Sequence, residues 1–342
     1  EKGYGVQLSV NSIKLLNEIG FGKFQNSEKF TPEKINFYSE KISNKICELN
    51  ISLFNTKDCK YTTLKRSTLI NFLKKDLGGL IKTCYDISKI DQQDKKIKLS
   101  FENDETYECD YLIISDGVFS KSKSIISNNQ IRPKYNNTLA IRGIINKSSK
   151  NIDNKNISLF LGPDFHHVIY PVNPNGDLNF IAVMKHLFSA DEQNNLSLFN
   201  ENLFKKKILN KAPSAIREFL NNLNDIKIFP VFVSNNFYKI KNDQIHLIGD
   251  AFFAFPPSFA QGASQSIESA FELFKNIQNN TEIDFYKKRV KRTKMVNNRS
   301  KFNQFSFHLS NPINTFFRNL FLKRLVKNKK FLDTYLGKIY NN

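Results

Sequence analysis

Ile245-His246-Leu247-Ile248-Gly249-Asp250-Ala251-Phe252-Phe253-Ala254-Phe255-Pro256-Pro257 and, after three more residues, Gln261-Gly262-Ala263 form the stretch whose reading decides the fold. Ile245 to Ile248 read as a short, buried, parallel-type strand that ends in a glycine and a carboxylate. The carboxyl edge of the sheet is where α/β folds bind their ligands. An aspartate there accepts hydrogen bonds from the hydroxyls of a sugar-like chain, and a glycine lets backbone approach closely. Ala251 to Phe255 supply an apolar wall, and Pro256-Pro257 stiffen the turn. Gln261-Gly262-Ala263 then open a helix running to about Ile277, whose free amides point back at the same place and suit an anion or an electron-rich ring edge. A Gly-Asp pair after a strand is ordinary turn chemistry on its own. The whole string, Gly249-Asp250-Ala251-x4-Pro256-Pro257-x3-Gln261-Gly262-Ala263-x4-Glu268-x-Ala270, is far more specific.

Outward from this stretch, helix and strand signals alternate without an internal repeat. Ser9 or Asn11 can cap a helix with a stripe of Ile13, Leu15, Leu16 and Ile19, stopped at Gly20. Ile35 to Tyr38 are strand-like, and Thr62 through Leu80 read as a second helix from the spacing of Leu64, Leu69, Phe72, Leu73 and Leu77. Strands are expected at 81–86, 96–101 and Tyr111 to Ile114, with a turn at Asn103-Asp104. More strands follow between about Leu139 and Phe232, broken by a polar helix near 188–210, and helices fill the remainder. The pattern implies α/β architecture with a second, β-rich lobe.

A chain of 342 residues with 40% hydrophobic composition buries a sizeable core. No run of about 18 apolar residues marks a spanning helix and no signal peptide is recognisable, so the expected location is cytoplasmic. Cys47, Cys59, Cys84 and Cys109 lack CxxC spacing, and the five histidines form no metal-type cluster, so neither a disulfide framework nor a metal site is expected. The net charge of +19 is concentrated late: from Thr281 onward 15 Lys and Arg stand against 3 Asp and Glu. The plain explanation is a solvated helical face. Phe316, Phe317, Phe321, Phe331 and Tyr335 interleave with that charge, however, as peripheral contact with an anionic membrane surface would require. No nucleic-acid module accompanies it, and no nucleic-acid partner is expected.

The string around Gly249-Asp250 resembles the second flavin-binding signature of the FAD-dependent aromatic hydroxylases, the single-component monooxygenases similar to salicylate hydroxylase and the ubiquinone-pathway hydroxylases. Three segments agree with it in order. Asp110-Tyr111-Leu112-Ile113-Ile114-Ser115-Asp116-Gly117-x2-Ser120 resembles the family's Asp-Gly motif, Lys65-Arg66-x2-Leu69 its helix-start motif, and Gly3-Tyr4-Gly5-Val6-Gln7-Leu8-Ser9-x-Asn11 the loop after its ribose-binding strand. Tyr170-Pro171-Val172 and Leu178-Asn179-Phe180 match the substrate lobe. The resemblance implies FAD as cofactor, NADH or NADPH as co-substrate, and hydroxylation of a phenolic ring by O2 through a flavin C4a-hydroperoxide. Asp250 would bind the ribityl chain, with Gly249 admitting it. Arg66 would lie near the flavin phosphates, and Asp116 with Gly117 would shape the pyrophosphate and hydride-donor side. Pro256 and Pro257, with Gln261, Gly262 and Ala263, would lie against the flavin ring. Tyr170 would face the substrate.

The bland alternatives are a surface ion pair for Arg66, a turn for Asp116-Gly117, and sheet packing for Tyr170. His166 and His167 read as core or surface histidines ahead of a catalytic base. The family's Gly-x-Gly-x-x-Gly unit and its ribose-binding acid would precede residue 1, so a fragment lacking something on the order of forty residues is expected, by the size of a βαβ unit. Phe253 stands where relatives often have His, Val10 replaces a frequent Pro, and Lys123 stands where an Arg usually closes the Asp-Gly motif. Lys123 keeps the charge and loses the planar fork. The expected domains are an FAD-binding Rossmann-like domain at 1–33, 57–135 and 237–280, a β-rich substrate domain at 34–56 and 136–236, and a basic helical region at 281–342. A flavin oxidoreductase of the same fold that does not hydroxylate, and a chain unable to retain FAD, both stay open at this point.

Overall fold

A computed structural model describes residues 4–24, 26–40, 44–93, 96–145, 153–220 and 223–341. Gly3, the first residue of the Gly3-to-Asn11 motif, lies outside them. The chain forms two compact units, Glu1–Phe72 with Asn136–Val231 and Phe302–Asn342, and Leu73–Tyr135 with Phe232–Lys301. The described residues among 4–33 and 57–72 therefore fall in the same unit as the β-rich segments.

The first unit is built on a seven-stranded mixed sheet. Its order is Leu223–Val233, Lys134–Ile145, Leu178–Lys185, Phe165–Pro171, Ile157–Gly162, Lys34–Ser39 and Lys45–Asn50; from Lys134–Ile145 onward neighbours run antiparallel except where Ile157–Gly162 runs parallel to Lys34–Ser39. Alternation along the strands sends Leu139, Ile141, Phe160, Phe165, Ile169, Phe180 and Ala182 into one core, closed by Phe199, Ile208, Ile216 and Phe219 from the following helices. The polar helix expected at 188–210 is divided into Ala190–Asn194, a 3-10 turn at Leu196–Asn200, and Asn202–Lys211. A capping box between Ser189 and Glu192 starts the first of these.

A smaller sheet in the same unit corrects two expectations. Gly5–Leu8 is a strand where a loop was expected, and it pairs antiparallel with Thr62–Lys65, which was expected to be helical. The stiff Thr62 and Thr63 side chains and the wholly buried Leu64 favour the pleated conformation, so tertiary pairing overrides the helical spacing. The helix begins only at Arg66 and runs to Lys74. Thr63 donates to the Pro171 carbonyl at 2.5 Å, which ties this small sheet to the large one.

The second unit contains the parallel pair Leu112–Ile114 and Ile245–Leu247, the antiparallel sheet Ile87–Gln93, Lys96–Phe101 and Thr106–Cys109, and the helices Gly262–Gln278 and Glu282–Phe307, the latter continuing into the first unit. The strand expected at 81–86 begins instead at Ile87, because Cys84 takes a left-handed backbone (φ 65°) that strands do not accommodate. Within the basic run expected to be a solvated face, Arg289 and Arg292 are buried. Arg292 forks onto Glu268 (Nη2 to Oε1 2.6 Å, Nε to Oε2 2.9 Å), and Arg289 reaches Glu268, Glu272 and Gln265 at 3.0–3.3 Å. This network fastens the Gly262–Gln278 helix to its neighbour.

His166 and His167 are both core residues. His167 stacks against Phe160 (4.4 Å between centroids) with neither ring nitrogen hydrogen-bonded, and burial pushes its pKa down to about 3. His166 Nδ1 lies 2.8 Å from His308 Nε2, and burial, reinforced for His166 by His308 and His167, depresses both, His308 to about 4. All three thus bind protons more readily in the unfolded chain. Their contribution to stability is present above the ordinary histidine pKa of about 6.5 and is lost as pH falls toward 4 and then 3. Urea unfolding should show stability dropping steeply below about pH 6.5. His167→Leu should flatten that slope; an unchanged slope would show that this ring protonates freely in the native state.

Candidate functional site

The register of the parallel pair, Ile245 with Leu112 and Leu247 with Ile114, brings both acid-glycine pairs to one carboxyl edge. Ser115-Asp116-Gly117 leave the first strand there, and Ile248-Gly249-Asp250 the second, with Ile248 N bonded to Ile114 O at 3.0 Å. Gly249 to Phe253 form one helical turn where a tight turn was expected. Gly249 takes a left-handed backbone (φ 57°), donates to Ser269 Oγ at 3.1 Å, and would place a Cβ 3.0 Å from Ser266 Oγ. Backbone angle and close packing together demand glycine here.

Asp250 keeps part of its side chain open to solvent, yet the protein atoms crowding it raise its pKa; the Lys123 ammonium opposes this rise. Lys123 itself is buried. It donates to the Ala251 carbonyl at 2.8 Å, and burial lowers its pKa while Asp116 and Asp250 hold the charge in place. The lysine that departs from the usual Arg therefore ties the two acid-glycine segments together. Asp116 Oδ2 accepts the Ser122 amide at 3.0 Å, and Ser120 Oγ the Lys123 amide at 2.9 Å, so these two residues cap the short Lys121–Ile126 helix.

The Gly262–Gln278 helix has no side-chain cap at its N-terminus, and a Cβ on Gly262 would meet no atom within 4 Å. Gly249, Asp250 and Gly262 line one small recess with Gln265 and Arg289. Pro256 precedes the 3-10 turn Pro257–Phe259, and its carbonyl accepts the Ser300 hydroxyl. A larger recess of about 310 Å³ lies beside the Asp-Gly motif, between Phe119, Lys123, Arg132 and Phe232.

Arg66 and Tyr170 belong to the other unit. Arg66 opens its helix, exposed, with its amide on Tyr4 O at 2.8 Å. Tyr170 is buried beside Gly5 and Asn179; a Cβ on Gly5 would fall 2.6 Å from Asn179 Cβ and 2.8 Å from the Tyr170 ring, so only glycine fits this approach. Burial raises the Tyr170 pKa above the ordinary phenol value, opposed by Arg142 and by a hydrogen bond from Gln7, whose Oε1 also accepts the Tyr61 hydroxyl at 2.8 Å. Sequence reasoning missed Arg142. Its guanidinium lies 6.0 Å from the Tyr4 ring centroid, near Arg66 and Tyr170, with burial lowering its pKa. A lone arginine inside the apolar run Leu139 to Ile145 was the available signal.

A family model for the FAD binding domain matches residues 8–282. The chain belongs to this FAD-binding family. A salicylate hydroxylase of Pseudomonas putida is 22% identical over 306 residues, covering 80% of this chain and 67% of that protein. Among solved structures, HpxO of Klebsiella pneumoniae complexed with FAD and uric acid aligns with a TM-score of 0.80 at 13% identity, over 98% of this chain and 88% of that one. A salicylate hydroxylase substrate complex aligns with a TM-score of 0.76 at 18% identity, over 99% and 88%. The α/β fold with its C-terminal helices is thus that of the FAD-dependent hydroxylases. The residues of this chain suit such a cofactor. The uncapped helix start at Gly262 offers amide donors and open space, and Asp250 offers a hydroxyl acceptor at the same sheet edge.

Proposed function

We propose that this flavoprotein is an NAD(P)H-consuming monooxygenase that hydroxylates a small aromatic, phenolic substrate. The observation that carries the reading is the convergence of Asp116-Gly117, Gly249-Asp250 and the uncapped Gly262 helix start within one unit, fastened by Lys123. Bound FAD supplies the redox chemistry and the activation of O2. The chain's own residues bind and orient. Asp250 accepts hydroxyls of the ribityl chain, Gly262 and Ala263 direct amides at the negative side of the ring, and Pro256 and Pro257 form a wall that excludes water. Arg66 offsets phosphate charge, and Asp116 with Gly117 borders the hydride-donor side. Tyr170, whose hydroxyl takes a hydrogen bond from Gln7, positions the substrate. Uric acid bound to HpxO and the substrate bound to salicylate hydroxylase support a small planar ring as the substrate class.

The test is oxygen consumption with NADH or NADPH and a panel of phenols, with product and peroxide measured together. Hydroxylated product formed in step with cofactor oxidation supports the reading. Peroxide alone across the panel would assign the chain to flavin oxidoreduction without hydroxylation.

A further inference from the structure

The Pro312–Leu325 helix has its polarity reversed. Its start is well made, with Pro312 in the first turn and Asn311 Oδ1 accepting the amides of Ile313 (2.9 Å) and Asn314 (3.2 Å). It lies along the Lys45–Asn50 strand, and the residue it buries most deeply is Arg318. That guanidinium donates to the Ser306 and Phe307 carbonyls at 3.3 and 3.4 Å, satisfying the C-terminal end of the preceding helix. On the outward face Ile313 (66% exposed), Phe316 (65%), Phe317 (48%), Leu320 (37%) and Phe321 (55%) recur at helical spacing. Phe302 and Phe305 are exposed as well, in the last turns of the preceding helix. Water-facing helix surfaces carry polar residues, so this one is built for another medium.

Charge identifies that medium. Lys323, Arg324, Lys327, Lys329 and Lys330 follow the apolar face, all exposed, and from Lys301 to Asn342 eight basic residues face a single acid, Asp333. A two-fold contact with a second copy would bring these like-charged rims together, which is unfavourable. Aromatic and aliphatic side chains beside lysine and arginine match the interface of an anionic bilayer, where apolar groups enter the acyl boundary and cations meet headgroups. Among the described residues no helix is long and apolar enough to cross a membrane. We propose that the Pro312–Leu325 helix docks this protein on an anionic membrane surface, its Ile313-Phe316-Phe317-Leu320-Phe321 face entering the interface and the basic residues after it meeting the headgroups.

Sedimentation of the full chain with phosphatidylcholine vesicles, with and without about one third phosphatidylserine, tests this. Binding should need the anionic lipid and should weaken strongly between about 0.05 and 0.5 M salt. The double variant Phe316→Ser, Phe317→Ser should lose at least about tenfold in vesicle affinity, since each ring is worth that much on burial. The double variant Lys323→Gln, Arg324→Gln should lose about tenfold on anionic vesicles. Circular dichroism and thermal unfolding check that both are folded. No binding to anionic vesicles, or binding unchanged in the charge variant, would overturn the proposal. So would dimerisation that the phenylalanine variant abolishes while vesicles bind neither protein, because the face would then belong to a second copy.

Discussion

Glu268→Ala should destabilise the protein by about 3–5 kcal/mol in urea unfolding, the range expected when one partner of a buried ion pair is removed. Glu268 is the carboxylate on which both buried guanidiniums converge, Arg292 by two bonds and Arg289 by one. Glu272 remains for Arg289, but it is more exposed and lies at 3.2 Å. Arg292 loses both contacts to Glu268. The consequence extends to function, because Glu268 sits two turns into the helix whose first residue, Gly262, lies at the candidate cofactor edge. A loss below about 1 kcal/mol, the scale of an exposed surface pair, would mean that water replaces the carboxylate and that the network does not hold the helix.

The second large effect is on cofactor affinity. Asp250→Ala removes the acceptor assigned to the ribityl hydroxyls and should weaken FAD binding roughly ten- to a hundredfold, from a charge-assisted hydrogen bond of about 1.5–3 kcal/mol. The same change should alter the stability of the cofactor-free protein little, because Lys123 keeps Asp116 and the Ala251 carbonyl as partners while the cost of crowding the Asp250 carboxylate is removed. The folded state raises the Asp250 pKa, so the ionised carboxylate opposes folding above that raised pKa, and this penalty vanishes as pH falls through it. FAD binding in the unaltered protein should accordingly weaken on acidification, and in Asp250→Ala it should lose this dependence. Thermal unfolding without FAD and fluorescence titration with it separate the two effects. A variant that loses stability and FAD together would recast Asp250 as a structural residue.

The strand Ile245–Leu247 and the helix from Gly262 were legible because their signals are local: Ile245, Leu247 and Ile248 around one histidine, ending in Gly-Asp, then a long stretch of helical spacing. The same local logic failed at Thr62–Lys65, where leucine spacing favoured helix and cross-strand partners decided otherwise. Arg289 and Arg292 were hidden for a related reason. In a run holding Lys287, Lys288, Lys291 and Lys294 they look like solvated charge, and only the carboxylates of Glu268 and Glu272 on another helix make their burial tolerable. Lys123 was visible only as a departure from Arg. Its bond to the Ala251 carbonyl joins positions 128 residues apart, a distance across which sequence pattern carries no information. Tyr170 was legible as a residue, but its partners Gln7 and Arg142 come from separate strands and emerge only with the fold.

The most direct test of the central claim is an FAD titration of the unaltered chain beside Gly262→Asp, with thermal unfolding as the control. A Cβ at Gly262 meets no neighbouring atom within 4 Å, and an acidic residue at a helix N-terminus favours the helix dipole, so the variant should fold as well as the original. It would, however, place a carboxylate where the cofactor's negative side is held. The unaltered chain should bind one FAD, and the variant, at equal stability, should lose at least about tenfold in affinity, the scale of one charged contact. Equal FAD affinity in both proteins, or none in either, would contradict the claim.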